Sequence, residues 1–160
     1  MTVTIASRAE EIFLSRKEIQ ILRQRILLLL INLYQQGYRD FYTNAAWGVP
    51  LWSAELLLLL RKIHPDIALH LALPHSGQAD KWQLSMKKRY LRVKLLADTV
   101  QYLSFPDDPE SFQKADKFMI IQSDLLLFYG KQGFLNYSPQ YFSTGIEIYA
   151  RTQYIPVRYI

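Results

Sequence analysis

Two short runs of almost continuous apolar residues, Ile67–Leu73 and Leu125–Tyr129, constrain the fold of this chain most strongly. Each run has the length of a β-strand and is short for a helix. A strand that is apolar at nearly every position is typical of a parallel sheet whose two faces are both covered. The two runs therefore predict buried strands within a parallel sheet.

The rest of the chain alternates between strand-like and helix-like patterns. Apolar residues recur at helical spacing between Ser15 and Gln36, and Pro50 can begin a helix because a first-turn residue needs no N–H. The predicted strands are Thr2–Ala6, Arg39–Thr43, Ile67–Leu73, Thr99–Leu103, Leu125–Tyr129 and Pro156–Tyr159, and the predicted helices are Ser15–Gln36, Pro50–His64, Trp82–Ala97, Glu110–Gln122 and Phe142–Gln153. Strict alternation predicts one Rossmann-like α/β domain over residues 1–160, with about six mainly parallel strands and helices on both faces.

Composition excludes several functional classes. The chain has no cysteine, which excludes disulfides, cysteine zinc sites and a cysteine nucleophile. Its three histidines do not share one helix face at ligand spacing, so we predict no metal site. The apolar runs Ile26–Leu33 and Leu56–Leu60 are far shorter than the roughly 20 residues of a spanning helix, and we interpret them as buried core helices. No secretion signal is evident, so we expect a cytoplasmic protein without a membrane partner.

The formal charge is +5, and part of it lies in one predicted helix that carries Lys87, Lys88, Arg89, Arg92 and Lys94. These residues are typical of the solvated face of an amphipathic helix. The alternative is a surface that attracts phosphate, from a small ligand or from nucleic acid.

Ligands of open α/β sheets bind at the carboxyl ends of the strands, so the loops that follow the strands are the candidate site. Arg8 follows the first strand and can clamp a phosphate. Two other loops, Asn44–Gly48 and Ser143–Glu147, lead into helix starts whose free N–H groups favour an anion. The loop Pro74–Gln78 completes this edge. The chain has neither a G-x-G-x-x-G pattern nor a Walker loop, which argues against dehydrogenases and P-loop NTPases.

The stretch from Gly48 to Glu55 resembles the Gly-Val-Glu-Leu-Trp-x-Ala-Glu signature of the YpsA-like bacterial proteins, a largely uncharacterised branch of the SLOG superfamily. That superfamily includes the DNA-processing protein DprA and the LOG phosphoribohydrolases. The resemblance continues at Pro74, Gln78, Trp82, Tyr90, Ala97-Asp98, Phe112-Gln113, Phe118 and Ser123-Asp124, with Arg8 as the basic residue after the first strand. It implies a Rossmann-like fold with a pocket for a nucleotide-type ligand.

The chain also departs from the family pattern. Where the family has Ser-Gly-(Gly/Gln) before the helix, this chain has Asn44-Ala45-Ala46, and Pro50 replaces the acidic residue of the signature. The family's Gly-Thr-x-Glu corresponds to Thr144-Gly145-Ile146-Glu147, or is offset by one position. A methyl group in place of glycine restricts the backbone where a phosphate would approach.

Three functions follow from this pattern. The first is a sensor or regulator that binds a nucleotide or an ADP-ribose-like ligand through Arg8, Asn44, Ala45, Trp47, Gly48, Pro74, His75, Trp82, Thr144 and Gly145. Trp47 and Trp82 would stack on a base, unless they simply pack as loop or core aromatics. The second, implied by the LOG relatives, is hydrolysis of an N-glycosidic bond with Glu147 as the catalytic residue. Glu147 is otherwise an ordinary first-turn acid.

The third function is DprA-like nucleic-acid binding through the basic helix. An interaction protein with a vestigial pocket, or a homo-oligomer, is also compatible with this sequence.

Overall fold

The computed structural model describes residues 1–7, 13–130 and 144–160. Along the chain these form β1 (Thr2–Ser7), α1 (Arg16–Gln35), β2 (Asp40–Thr43), α2 (Val49–Leu60), β3 (Ala68–Leu73), α3 (Leu84–Leu96), β4 (Thr99–Tyr102), α4 (Ser111–Ile121), β5 (Leu125–Tyr129), α5 (Thr144–Thr152) and β6 (Val157–Tyr159). Every predicted strand and helix is therefore present, in the predicted order. The predicted loop 131–140 and the first two residues of the last predicted helix lie outside the described residues.

The largest error in the predicted bounds concerns the end of α2, which stops at Leu60 rather than continuing to His64. The N–H groups of Lys62 and Ile63 donate to the carbonyls three residues back, at 3.2 and 2.9 Å, so the chain tightens into turns. Pro65 follows, and a proline disfavours helical geometry in the residue before it.

The six strands form one sheet in the order β4-β3-β2-β1-β5-β6, and every neighbouring pair is parallel. The predicted parallel sheet is thus confirmed. In β5 the residues from Leu125 to Phe128 are all buried, and in β3 only Ala68 and His70 are half-buried. The edge strand β4 is exposed throughout. Strand order reverses between β1 and β5, since the chain proceeds outward from β1 to β4 and then returns to β5 on the other side of β1.

Helices cover both faces of the sheet. On one face, Val3 and Ile5 of β1 belong to a cluster with buried residues of α1, α2 and α3. On the other face, Ala6 and Phe128 pack in a second cluster with residues of α4 and α5. Nine of the twelve residues of α2 are buried, because α2 lies between α1 and α3 as well as on the sheet. Among the described residues, no helix is long and apolar enough to cross a membrane.

The long helix α1 begins where its sequence predicts. Ser15 caps it: the Ser15 hydroxyl accepts from the Glu18 N–H at 3.3 Å, and the Glu18 carboxylate accepts from the Ser15 N–H at 2.8 Å. Residues at helical spacing then face the sheet, namely Leu22, Ile26, Leu30 and Leu33, all of them buried.

Two aspartates fix the strand register at the amino end of the sheet. The N–H of Asp124 donates to the Thr2 carbonyl at 2.9 Å, while its carboxylate accepts from the Thr2 N–H at 2.8 Å. Asp98 makes the same pair of bonds to Leu69, both at 2.8 Å, and also binds Arg61 at 2.6 Å. We call each of these reciprocal pairs, Asp124–Thr2 and Asp98–Leu69, an aspartate clamp.

An alanine at position 124 should weaken the sheet, since it leaves the Thr2 N–H without its carboxylate partner. We expect Asp124→Ala to lower the free energy of unfolding by about 1 kcal/mol, the usual net contribution of one such hydrogen bond. Urea denaturation measures this change. Asp107→Ala, at an exposed loop position, is the control and should stay within about 0.5 kcal/mol of the unsubstituted protein. Equal effects of the two substitutions would contradict a stabilising clamp.

Candidate ligand-binding site

The reversal of strand order places the candidate site at the carboxyl ends of β1 and β5. The segments that follow these strands, residues 8–12 and 131–143, lie outside the described residues, and so do the predicted site residues Arg8 and Ser143. The described part of helix α5 runs from Thr144 to Thr152. The side chains of Thr144 and Glu147 are not among those described, so the phosphate clamp and the catalytic role remain predictions.

The loop after β2 forms a compact turn through its own polar side chains. The Ala45 N–H donates to the Thr43 hydroxyl at 3.2 Å, and the Ala46 N–H donates to the Asn44 side-chain oxygen at 3.0 Å. Ala45 has a φ of 51°, a left-handed conformation that suits glycine better than alanine. The glycine of the family pattern is therefore replaced at a position whose backbone still has a glycine-like geometry.

Few amides are available at the start of α2 for the predicted anion. Pro50 has no N–H, and the Leu51 N–H already donates to the Ala46 carbonyl at 3.1 Å. The Trp52 N–H donates to the Gly48 carbonyl at 2.9 Å, as expected within a helix. A phosphate at this helix start would thus meet fewer donors than the sequence pattern suggested.

A group of polar residues nevertheless lies at this edge: Asn44, Gln78 and Asp116 are linked through their side chains, and the Gln78 N–H donates to the carbonyl of His75 in the same loop at 3.4 Å. Asp116 extends from α4 and is only 4% exposed, and the Asn44 side-chain nitrogen lies 3.5 Å from its Oδ1 atom. The Gln78 side-chain nitrogen donates to the Asn44 carbonyl oxygen at 3.0 Å. The loops after β2 and β3 therefore meet helix α4 around one buried carboxyl group. We refer to these four residues as the Asn44 cluster.

Two buried atoms of the Asn44 cluster, the Gln78 Oε1 and the His75 Nδ1, have no hydrogen-bond partner within the part of the chain that the structure describes. A buried polar atom without a partner costs about 1–3 kcal/mol, so native proteins keep few of them. The His75 ring packs edge-to-face against Phe112 of α4, with ring centres 6.3 Å apart. This contact helps to fix the orientation of the ring that carries the unpartnered nitrogen.

Burial raises the pKa of the Asp116 carboxyl to about 8, although its hydrogen bond from Asn44 acts in the opposite direction. A carboxyl group with such a pKa is mostly protonated at neutral pH. It can then donate a hydrogen bond as well as accept one, which an ionised carboxylate cannot do. A group that gains or loses a proton near neutral pH is also suited to general acid–base chemistry.

The two tryptophans predicted to stack on a base pack against other aromatic rings. Trp47 lies edge-to-face with Trp82 at 6.2 Å and with Trp52 at 6.4 Å, and Trp82 contacts Tyr90 at 5.3 Å. Both Trp47 and Trp82 are half-buried against the core. This packing favours the alternative interpretation, that they are loop-packing aromatics, and their contact with a ligand stays a prediction. Pro74, directly after β3, is buried.

Part of the basic helix α3 is engaged within the protein. Arg89 forms a two-pronged ion pair with Glu55 of α2, at 2.6 and 2.5 Å, and this partner raises the pKa of its guanidinium. Lys94 donates to the Tyr102 hydroxyl at 3.0 Å, and Lys87 lies 4.0 Å from Asp80. Lys88 and Arg92 are exposed. Several basic side chains of α3 therefore bind groups within the protein, while others face solvent.

Asp116 was missed by the sequence reasoning, although the sequence carries a signal for it. In α4 the buried residues Ser111, Ala115, Asp116, Met119 and Ile120 lie at helical spacing. An acidic residue within an otherwise small or apolar stripe must be buried when the helix packs, and buried acids cluster at functional sites.

Gly48 should tolerate no side chain. Its φ of 110° and ψ of −143° belong to a region that is essentially restricted to glycine, and the residue is buried. We expect Gly48→Ala to lower the free energy of unfolding by about 1–3 kcal/mol in urea titrations. Gly77→Ala is the comparison, because Gly77 lacks a left-handed φ and a methyl group there crowds only the end of the exposed Asp80 side chain, while the His75 Nδ1 lies at an ordinary contact distance of 3.6 Å. A loss at Gly77 as large as that at Gly48 would contradict this explanation.

Asp116 should make stability fall as the pH rises. Its folded pKa of about 8 exceeds the ordinary value of 3.8, so the folded protein retains a proton that the unfolded chain has lost between these values. The stabilisation by the protonated carboxyl group is complete below pH 3.8. It is lost as the pH rises towards about 8, by at most about 1.4 kcal/mol per pH unit. We expect Asp116→Asn to flatten this slope in urea titrations between about pH 5 and pH 8.

The control for this substitution is Asp107→Asn, which removes an exposed carboxylate and should leave the slope unchanged. A slope that persists in Asp116→Asn would show that another group is responsible.

Comparison with known proteins agrees with the resemblance noted in the sequence. A model of the YpsA family, described as the YspA SLOG family, matches residues 11–160. UPF0398 proteins of Staphylococcus saprophyticus and Staphylococcus epidermidis are each 28% identical to this chain, over 86% of it and 74% of their own length. A UPF0398 protein of Halalkalibacterium halodurans is 29% identical over 61% of this chain and 53% of its own length. The chain belongs to the YpsA family of SLOG proteins.

Proposed function

We propose that this protein binds a nucleotide or a nucleotide-derived ligand, of the ADP-ribose kind, and acts as a sensor or regulator. The observation that supports the proposal best is a pair of buried atoms, Gln78 Oε1 and His75 Nδ1, that have no hydrogen-bond partner among the described residues. Both belong to the loop that follows β3, at the carboxyl edge of the sheet. A ligand that bonds to these atoms recovers the free energy that their burial costs. This edge is also where open parallel sheets bind ligands.

The chemistry of the Asn44 cluster favours the sugar of such a ligand. The Gln78 Oε1 atom accepts only, and His75 Nδ1 accepts or donates according to its tautomer. A protonated Asp116 adds both a donor and an acceptor. Ribose hydroxyl groups both donate and accept, so they match this mixed set. Because α2 offers few free amides, the phosphate would depend on the predicted contacts of Arg8, Thr144 and Gly145.

The alternatives have less support. Hydrolysis of an N-glycosidic bond would rest on Glu147, whose side chain lies outside the described set. Nucleic-acid binding would rest on the basic helix, where Arg89 is already paired with Glu55. We therefore treat base release and DNA binding as outcomes of the test.

Thermal unfolding with a panel of nucleotides tests the proposal. A ligand present at 100 times its dissociation constant should stabilise the fold by about 2.7 kcal/mol, which raises the midpoint by roughly 5–10 °C for a chain of this size. We expect ADP-ribose or a ribonucleotide to give this rise, and the matching 2′-deoxyribonucleotide to give a clearly smaller one. Gln78→Leu should reduce the rise, whereas Gln113→Leu, at an exposed position of α4, should not.

Three results would contradict the proposal. If no nucleotide shifts the midpoint, the protein does not bind a ligand of this class. Release of free base, lost in Glu147→Gln, would identify a hydrolase instead. A preference for single-stranded DNA that is lost on neutralising Lys88 and Arg92 would favour the DprA-like function.

A further inference from the structure

A groove of about 360 Å³ opens between helices α1, α2 and α3, and the Asn44 cluster is not part of its lining. Two stripes at helical spacing line it: Glu55, Leu56, Leu59 and Lys62 from α2 and its end, and Arg89, Arg92, Val93 and Leu96 from α3. Arg23 of α1 adds a further side chain. The proposed ligand site makes no use of this groove.

The floor of the groove is apolar and partly exposed. Leu56 and Val93 are buried, but Leu59 is 52% exposed and Leu96 is 41% exposed. Single exposed leucines are ordinary, whereas contiguous exposed apolar surface is typical of interaction sites. Leucines from two adjacent helices thus form one apolar strip open to solvent.

The edges of the groove are strongly basic. Arg23, Lys62, Arg89 and Arg92 surround a single acidic residue, Glu55. That carboxylate is occupied already, because Arg89 binds both of its oxygens and Arg23 lies 3.5 Å from one. Within the described residues, Lys62 and Arg92 form no ion pair. The groove therefore holds unneutralised positive charge beside an apolar strip.

From this combination we infer that the groove is a docking site for an acidic amphipathic helix of a partner protein. An apolar strip between two helices receives the apolar face of a third helix, in the helix-in-groove mode. Lys62 follows α2 and Arg92 lies on α3, so these two cations flank the strip and match carboxylates on both sides of the partner's apolar face.

Two other anionic partners fit the groove less well. A nucleic-acid backbone would satisfy the cations but leave the apolar strip in water. A lipid surface is broad and meets protruding apolar residues, whereas this strip lies in a concavity between helices. Concavity, leucines and charge together favour a helix.

Fluorescence anisotropy with a labelled 18-residue peptide tests the inference. The peptide carries leucine at helical spacing and glutamate on both flanks of that stripe, and a second peptide has lysine in place of glutamate. We expect micromolar binding of the acidic peptide only, weakened at high salt. Arg92→Glu and Lys62→Glu should each weaken it at least tenfold. Lys88→Glu, the same charge change on α3 outside the groove, should change it less than threefold.

Leu59→Ser tests the apolar strip without altering charge and should also weaken binding several-fold, while the melting midpoint of each variant verifies folding. Three outcomes would overturn the inference: no binding of the acidic peptide, equal binding of the basic peptide, or equal losses in Lys88→Glu and Arg92→Glu. Tighter binding to phosphatidylserine vesicles or to single-stranded DNA, lost in Arg92→Glu, would do so as well.

Discussion

Burial of the sheet on both of its faces is the constraint on which the rest of this structure depends. Because every strand pair is parallel, each connection must cross a face of the sheet, and here each crossing is made by a helix. The helices α1, α2 and α3 cover one face, and α4 and α5 cover the other. The central strand β1 contributes to both cores. A polar group that enters either core at the carboxyl edge is consequently cut off from water, as Asp116 is.

The predictable part of the fold followed directly from this constraint. Strands that are buried on both sides leave continuous apolar runs, and amphipathic helices leave a helical spacing, so the element types and their order were readable from the sequence. The ends of helices were predicted less accurately. Helix α2 ends at Leu60, before the predicted end at His64, because the chain tightens into turns ahead of Pro65. Strand order, by contrast, is set by packing between distant segments and was not read from any local pattern.

The site was predicted only in part for the same reason. Reasoning from the loops named Asn44, His75 and the loop Pro74–Gln78, because these segments come after strands. It did not identify Asp116, whose relevance comes from the packing of α4 across the end of β2. Nor did it show that the turn after Asn44 uses its own side chains, or that Pro50 and the Leu51 N–H leave few donors at the helix start. A sequence shows how many backbone N–H groups a helix start contains, but the structure is needed to show which of them already donate a hydrogen bond.

Several residues that carry the family resemblance are structural. Glu55 joins α2 to α3 through Arg89, and the Ser123 hydroxyl bonds to the hydroxyl of Thr4 at 2.6 Å. The aspartate clamps are of this kind too, and both lie at the amino ends of strands. Register is therefore determined at the edge of the sheet opposite to the candidate site. Loops at the carboxyl edge can differ in length and composition among such proteins without shifting the strands, so a change of ligand need not require a change of scaffold.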